Sequence, residues 1–140
     1  MFPSAAGGTP AVVIDTNRVL DLWLFDDPQV DALRDAIACG GTRWLAQPAM
    51  REELARVLGY PAVLAQLARR QRTADSVLAA FDRWSHPVPA ADPAPVRCRD
   101  PDDQIFIDLA VAWRARLFSK DLAVLALARR LAPLGVTVER

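Results

Sequence analysis

Residues 11–17 read A-V-V-I-D-T-N, four apolar residues that run into Asp15, Thr16 and Asn17 ahead of the helical pattern R-V-L-D-L-W-L-F of residues 18–25. A short apolar run bounded by polar residues, with a helix behind it, reads as a strand of a buried parallel sheet. Strand-to-helix turns usually carry Gly or Ser, and here the strand ends on a carboxylate. One explanation is local: Asp, Thr and Asn all cap helix N-termini, and a cap is needed before Arg18 in any case. The other is positional, because open parallel sheets bind their ligands at the carboxyl ends of their strands. This stretch alone leaves both open.

Outward from that strand the alternation continues. A short helix is expected over about 17–25, and Asp27-Pro28 starts a second over 30–39 that Gly40-Gly41 ends. T-R-W-L-A (42–46) is a compact strand, and Gln47-Pro48 leads into a helix over 49–58 that stops at Gly59-Tyr60-Pro61. Helices over 62–70 and 73–84 follow. Four prolines within 86–95 exclude a helix or a central strand there and leave Val88 as one edge residue in a connector. C-R-D-P-D-D (98–103) opens a helix to about Trp113, 115–118 is a strand, 121–131 a helix and 135–138 a last strand. Strands alternating with helices, with no hairpin signal, imply an α/β fold of three layers, a central parallel sheet of four to five strands between helices. Residues 1–10 read as a flexible leader and 11–140 as one domain, long enough to bury an ordinary core.

Composition narrows the function. Lys+Arg and Asp+Glu both number 17, so no global basic excess holds nucleic acid through its phosphates, and any such contact must be a local patch. Cys39 and Cys98 have no C-x-x-C spacing, which argues against a zinc site or a disulfide framework and for two buried thiols in a reducing compartment. No apolar run approaches the roughly 18 residues of a membrane span, and residues 1–10 have neither a basic region nor a long apolar one. A soluble cytoplasmic protein is expected.

The chemistry lies in the carboxylates. Asp121 follows strand 115–118 by three residues, so topology puts it at the same sheet edge as Asp15. In A-M-R-E-E-L-A-R-V-L (49–58), Met50, Leu54, Val57 and Leu58 form the apolar stripe; Glu53 stands at its border, whereas Glu52 points away and is spaced to pair with Arg56. In the later helix Asp103 shares a face with Phe106, Ile107 and Ala110, while Asp108 falls on the polar side with Gln104 and is expected to be solvated. Asp100, Pro101 and acids in the first turn are also an ordinary helix start, and Asp121 or Ser119 could cap the next helix. Singly, each acid has a local explanation. Together, four acids at strand ends and inward helix edges would repel one another unless cations sat among them. Donors that are all oxygen select a hard ion, Mg²⁺ or Mn²⁺.

The set V-V-I-D15-T-N17, E53-L-A-R-V-L-G-Y-P61, R99-D-P-D-D103-Q-I-F-I-D-L-A110 and F-S-K-D121-L, in that order over roughly 11–138, resembles the PIN-domain ribonucleases. Within them it is similar to the shorter stand-alone members found as toxins of bacterial toxin-antitoxin pairs. The ordered set outweighs the purely local reading of Asp15. The resemblance implies an endoribonuclease that hydrolyses single-stranded RNA with a divalent metal and no side-chain nucleophile. It implies Asp15, Glu53, Asp103 and Asp121 as catalytic metal ligands, with Asn17 and Ser119 as polar neighbours that orient them. A cognate antitoxin protein over the cleft and a homodimer are further implications. Two departures stand out: Ser119-Lys120 replaces the Thr-Gly that most relatives have before the last Asp, and Ala123 replaces a further Asp found in many, which bears on whether one metal ion is held or two.

Candidate RNA contacts are Arg97 and Arg99, just before Asp100, and Lys120. R-R-Q-R (69–72) reads as a solvated corner, the four tryptophans as core or interface residues, and His86 as a surface residue. A receiver-type phosphotransfer domain would need paired acids after the first strand and a lone Asp after a middle strand, where this chain has D-T-N and Gln47-Pro48. The remaining alternative is a catalytically degenerate PIN fold that binds RNA or protein without cutting; keeping all four acids argues against it, because a pure binding module gains nothing from clustered negative charge.

Overall fold

The computed structural model describes residues 9–140; the leader expected over 1–10 lies, for residues 1–8, outside the described residues. The apolar run forms β1 (Ala11–Ile14), buried at every position. It lies at the centre of a five-stranded sheet of order β3-β2-β1-β4-β5, with β2 at Arg43–Ala46, β3 at Ser85–Pro87, β4 at Arg116–Phe118 and β5 at Val138–Glu139. Every pairing is parallel. The helices are α1 (Thr16–Trp23), α2 (Asp31–Ala38), α3 (Pro48–Leu58), α4 (Pro61–Arg69), α5 (Ala74–Trp84), α6 (Gln104–Trp113), α7 (Leu122–Leu125) and α8 (Ala128–Leu131). The α/β class with an all-parallel sheet flanked by helices is thus as the sequence predicts.

Strand order places the site. From β1 the chain builds outward through β2 to β3, then crosses back to β4 on the other side of β1, so the order reverses between β1 and β4. Such a switch point leaves a crevice at the carboxyl ends of the strands. Ile14 pairs with Phe118, and the Asp15 N–H donates to the Phe118 carbonyl at 3.0 Å, which brings Asp15 and Ser119 side by side at that crevice. Around it the core is apolar: Val12, Val13, Leu117 and Ile107 are fully buried. Trp44 of β2 stacks on Trp23 of α1 at 5.0 Å and takes the edge of Phe81 of α5 at 4.9 Å, fastening two helices to the sheet.

Several local expectations change. The edge strand starts at Ser85 and ends on Pro87, a residue tolerated at a sheet edge, and Val88 adds one bond from its N–H to the Ala46 carbonyl at 3.0 Å. The helix expected over 121–131 is two, separated by a turn at 126–127 that lets Leu127 as well as Leu131 enter the core. Pro101–Asp103 forms a 3₁₀ turn, capped by Asp100, ahead of α6. Both cysteines are free, but Cys39 is exposed and Cys98 half-buried, not the two buried thiols expected.

One polar assignment is overturned and one is refined. Asp108 is not solvated: its Oδ1 accepts from the Ala94 N–H and from Gln104 Nε2, both at 2.8 Å, because the proline-rich connector folds back over α6 and has no ladder of its own to satisfy its amides. The 69–72 corner is solvent-exposed at Arg69, Arg70 and Gln71, as the sequence predicts, but Arg72 is half-buried and the corner is tied to the rest of the fold. Arg72 donates to the Trp23 carbonyl at 2.9 Å and pairs with Asp26, and Arg70 lies over the Phe25 ring at 5.1 Å, so both hold the C-terminal end of α1, where carbonyls lack helical partners.

Candidate metal centre

Asp15 caps a helix and also lines the crevice at the strand ends. As N-cap of α1 its Oδ1 accepts from the Arg18 N–H at 3.1 Å, while its Oδ2 accepts from the Ser119 hydroxyl. It is only 4% exposed, and burial raises its pKa, with the Ser119 and Arg18 hydrogen bonds acting in the opposite direction. Glu53, half-buried on α3, accepts from the Thr16 hydroxyl at the start of α1. Glu52, one residue earlier, is exposed. Asp15, Thr16, Asn17, Glu53 and Asp103 line one cavity of about 130 Å³, floored by Val57 and Phe106.

The 3₁₀ turn before α6 brings in further acids. Asp100, Asp103 and Asp121 each offer a carboxylate oxygen, and these oxygens all lie within 4.8 Å of one another. Asp121 caps α7 by accepting from the Ala123 N–H at 2.8 Å, and its own N–H donates to Ser119 Oγ at 3.1 Å. Burial, the charge of Asp121 and a hydrogen bond shared with it push the Asp103 carboxyl up to about 7. Asp103 Oδ2 is buried and has no hydrogen-bond partner among the described residues. An orphaned carboxylate oxygen surrounded by other carboxylates is what a bound cation would satisfy, so the donor set fits a hard divalent ion.

The family model for the PIN domain matches residues 11–118, most of the chain and all of this cavity's lining. The chain belongs to the PIN-domain family. PIN domains are generally nucleases. No curated protein matches the chain. Within this PIN domain, all four acids singled out from the sequence stand at the β1–β4 crevice: Asp15, Glu53 and Asp103 on the cavity, and Asp121 beside Asp103. Asn17 is on the cavity wall and Ser119 is fully buried behind Asp15.

The basic residues are arranged less directly. Arg99 is exposed, Arg97 lies 3.7 Å from Asp108 with most of its side chain in solvent, and Lys120 donates to Asp21 Oδ2 at 2.7 Å. Sequence reasoning assigned Thr16 and Asp100 only capping roles and did not single out Asp21. Thr16 has no periodicity that could point to Glu53, 37 residues away. Asp100 does carry a signal, since it opens the D-P-D-D run.

Proposed function

We propose that this PIN domain is a Mg²⁺- or Mn²⁺-dependent endoribonuclease that hydrolyses single-stranded RNA, of the stand-alone toxin type and working in the cytoplasm. Asp15, Glu53, Asp103 and Asp121 would hold the ion. The observation that carries the reading is the orphaned Oδ2 of Asp103, a residue that lines the cavity and has the Asp100 and Asp121 carboxylates beside it. A divalent ion held by these carboxylates would supply Lewis acidity, to activate water and to offset the negative charge that phosphodiester hydrolysis builds up.

The protein's own contribution is orientation. Ser119 holds one oxygen of Asp15 and Thr16 holds one of Glu53, so these carboxylates approach the centre in set rotamers, a support on which metal affinity ordinarily depends. Arg97 and Arg99 would meet substrate phosphates from the connector side. Two free cysteines suit a reducing compartment. Tyr60 and Leu64, both about half exposed at the start of α4, offer apolar surface to an antitoxin or a second copy.

The test is cleavage of a mixed single-stranded RNA pool by wild type and Asp15→Asn, with Mn²⁺ or with EDTA. Cleavage is expected only with metal, and to fall about a hundredfold or more in the variant, as losing several kcal/mol of charge stabilisation implies. A wild type that neither cuts nor binds Mn²⁺ would favour the degenerate binding module instead.

A further inference from the structure

Asp21 is a buried charge that the proposed reaction does not use. It lies on α1, only 3% exposed, and accepts from two cations: Arg18 Nη1 at 3.0 Å, a side chain as deeply buried as itself, and Lys120 Nζ at 2.7 Å. Burying a carboxylate is strongly unfavourable unless it is paired, and an apolar residue in its place would serve the core at least as well. What the charge does that an apolar residue could not is join two separate segments.

Those segments are the ones that carry the acids. On one side, the backbone N–H of Arg18 holds Asp15 Oδ1. On the other, Lys120 stands between Ser119, whose hydroxyl holds Asp15 Oδ2, and Asp121, whose N–H returns to that same hydroxyl. Three residues span the gap from the end of β4 to the start of α7, so a shift at Lys120 is passed directly to its neighbours.

We propose that Asp21 is a positioning residue: through Lys120 it seats the Ser119–Asp121 segment against Asp15 and thereby sets the spacing of the carboxylates that take the divalent ion. The inference rests on the metal-centre reading above. It assigns Lys120 to the support of the site and not to the RNA.

Mn²⁺ titration of the full chain by calorimetry, without RNA, tests it in wild type, Lys120→Met, Asp21→Asn and the double variant, with thermal unfolding alongside. Each single change is expected to weaken Mn²⁺ binding roughly tenfold, the scale of losing a group that orients a metal ligand. The double variant is expected to bind no more weakly than Asp21→Asn alone, because both changes break one link. Lys120 is 39% exposed, so its variant keeps the fold even where Asp21→Asn, which leaves Arg18 buried without its partner, does not. Mn²⁺ affinity in folded Lys120→Met within about twofold of wild type overturns the inference, whatever the variant does to RNA binding. Wild type that takes up no Mn²⁺ overturns the metal-centre reading itself, and this inference with it.

Discussion

The Ser119 hydroxyl donates to Asp15 Oδ2 across 104 residues of sequence and accepts from the N–H of Asp121 at 3.1 Å. One fully buried side chain therefore holds the carboxylate of one proposed ligand, Asp15, and the backbone of another, Asp121. Ser119→Ala keeps the volume but leaves Asp15 with an unmet oxygen, at an expected cost of about 2 kcal/mol. Chemical denaturation should show this loss, and an unchanged midpoint would mean that Asp15 is solvated from another direction.

Asp103 sets a pH dependence for the metal-free protein. Its carboxyl stands at about 7 in the fold against 3.8 as the ordinary value, because of burial and the Asp121 charge. The folded state therefore binds more protons than the unfolded one between those values; its contribution to stability is full below about pH 4 and is lost as pH rises through about 7. Asp15, raised by burial, acts in the same direction. Urea unfolding in EDTA from about pH 5 to about pH 8 should give a falling midpoint that Asp103→Asn flattens. Mn²⁺ added at the upper end should restore the midpoint by mass action.

Asp108 predicts a stability effect away from the cavity. Asp108→Ala removes the acceptor of the Ala94 N–H and of Gln104 Nε2, and an expected cost of about 1–3 kcal/mol follows. Limited proteolysis should then cut the connector around residues 88–98 at denaturant concentrations where the sheet is still folded. Cutting elsewhere first would count against the connector's dependence on this one carboxylate.

The aromatic stack predicts the largest loss. Trp44→Ala empties a site packed by Trp23 and Phe81, for about 3–5 kcal/mol, a large part of what a domain of this size has. Arg83→Ala, at an exposed residue lying over Trp84, should change stability by no more than about 0.5 kcal/mol. Paired thermal melts check both.

Where the sequence and the structure agree, the signal was local. A-V-V-I reads as a buried strand from its own residues, the caps Asp15, Asp100 and Asp121 precede their helices, and the wheel of α3 separates Glu53 from Glu52 without any knowledge of what Glu53 touches. Where they part, the partner was remote. Gln104 and Asp108 share the polar side of α6 by periodicity, yet the connector covers that side and makes it interior. Arg72 reads as a solvated charge until the end of α1 is placed beside it.

The sequence by itself determined the alternating α/β order, the parallel sheet, and the acids that stand at strand ends or on inward helix edges, because hydrophobic period, caps and motif order are properties of neighbouring residues. Only the tertiary structure decided that Ser119 belongs to Asp15, Thr16 to Glu53 and Lys120 to Asp21. Those pairings follow from strand order and register, which bring distant segments within hydrogen-bond range and leave no trace in the spacing along the chain.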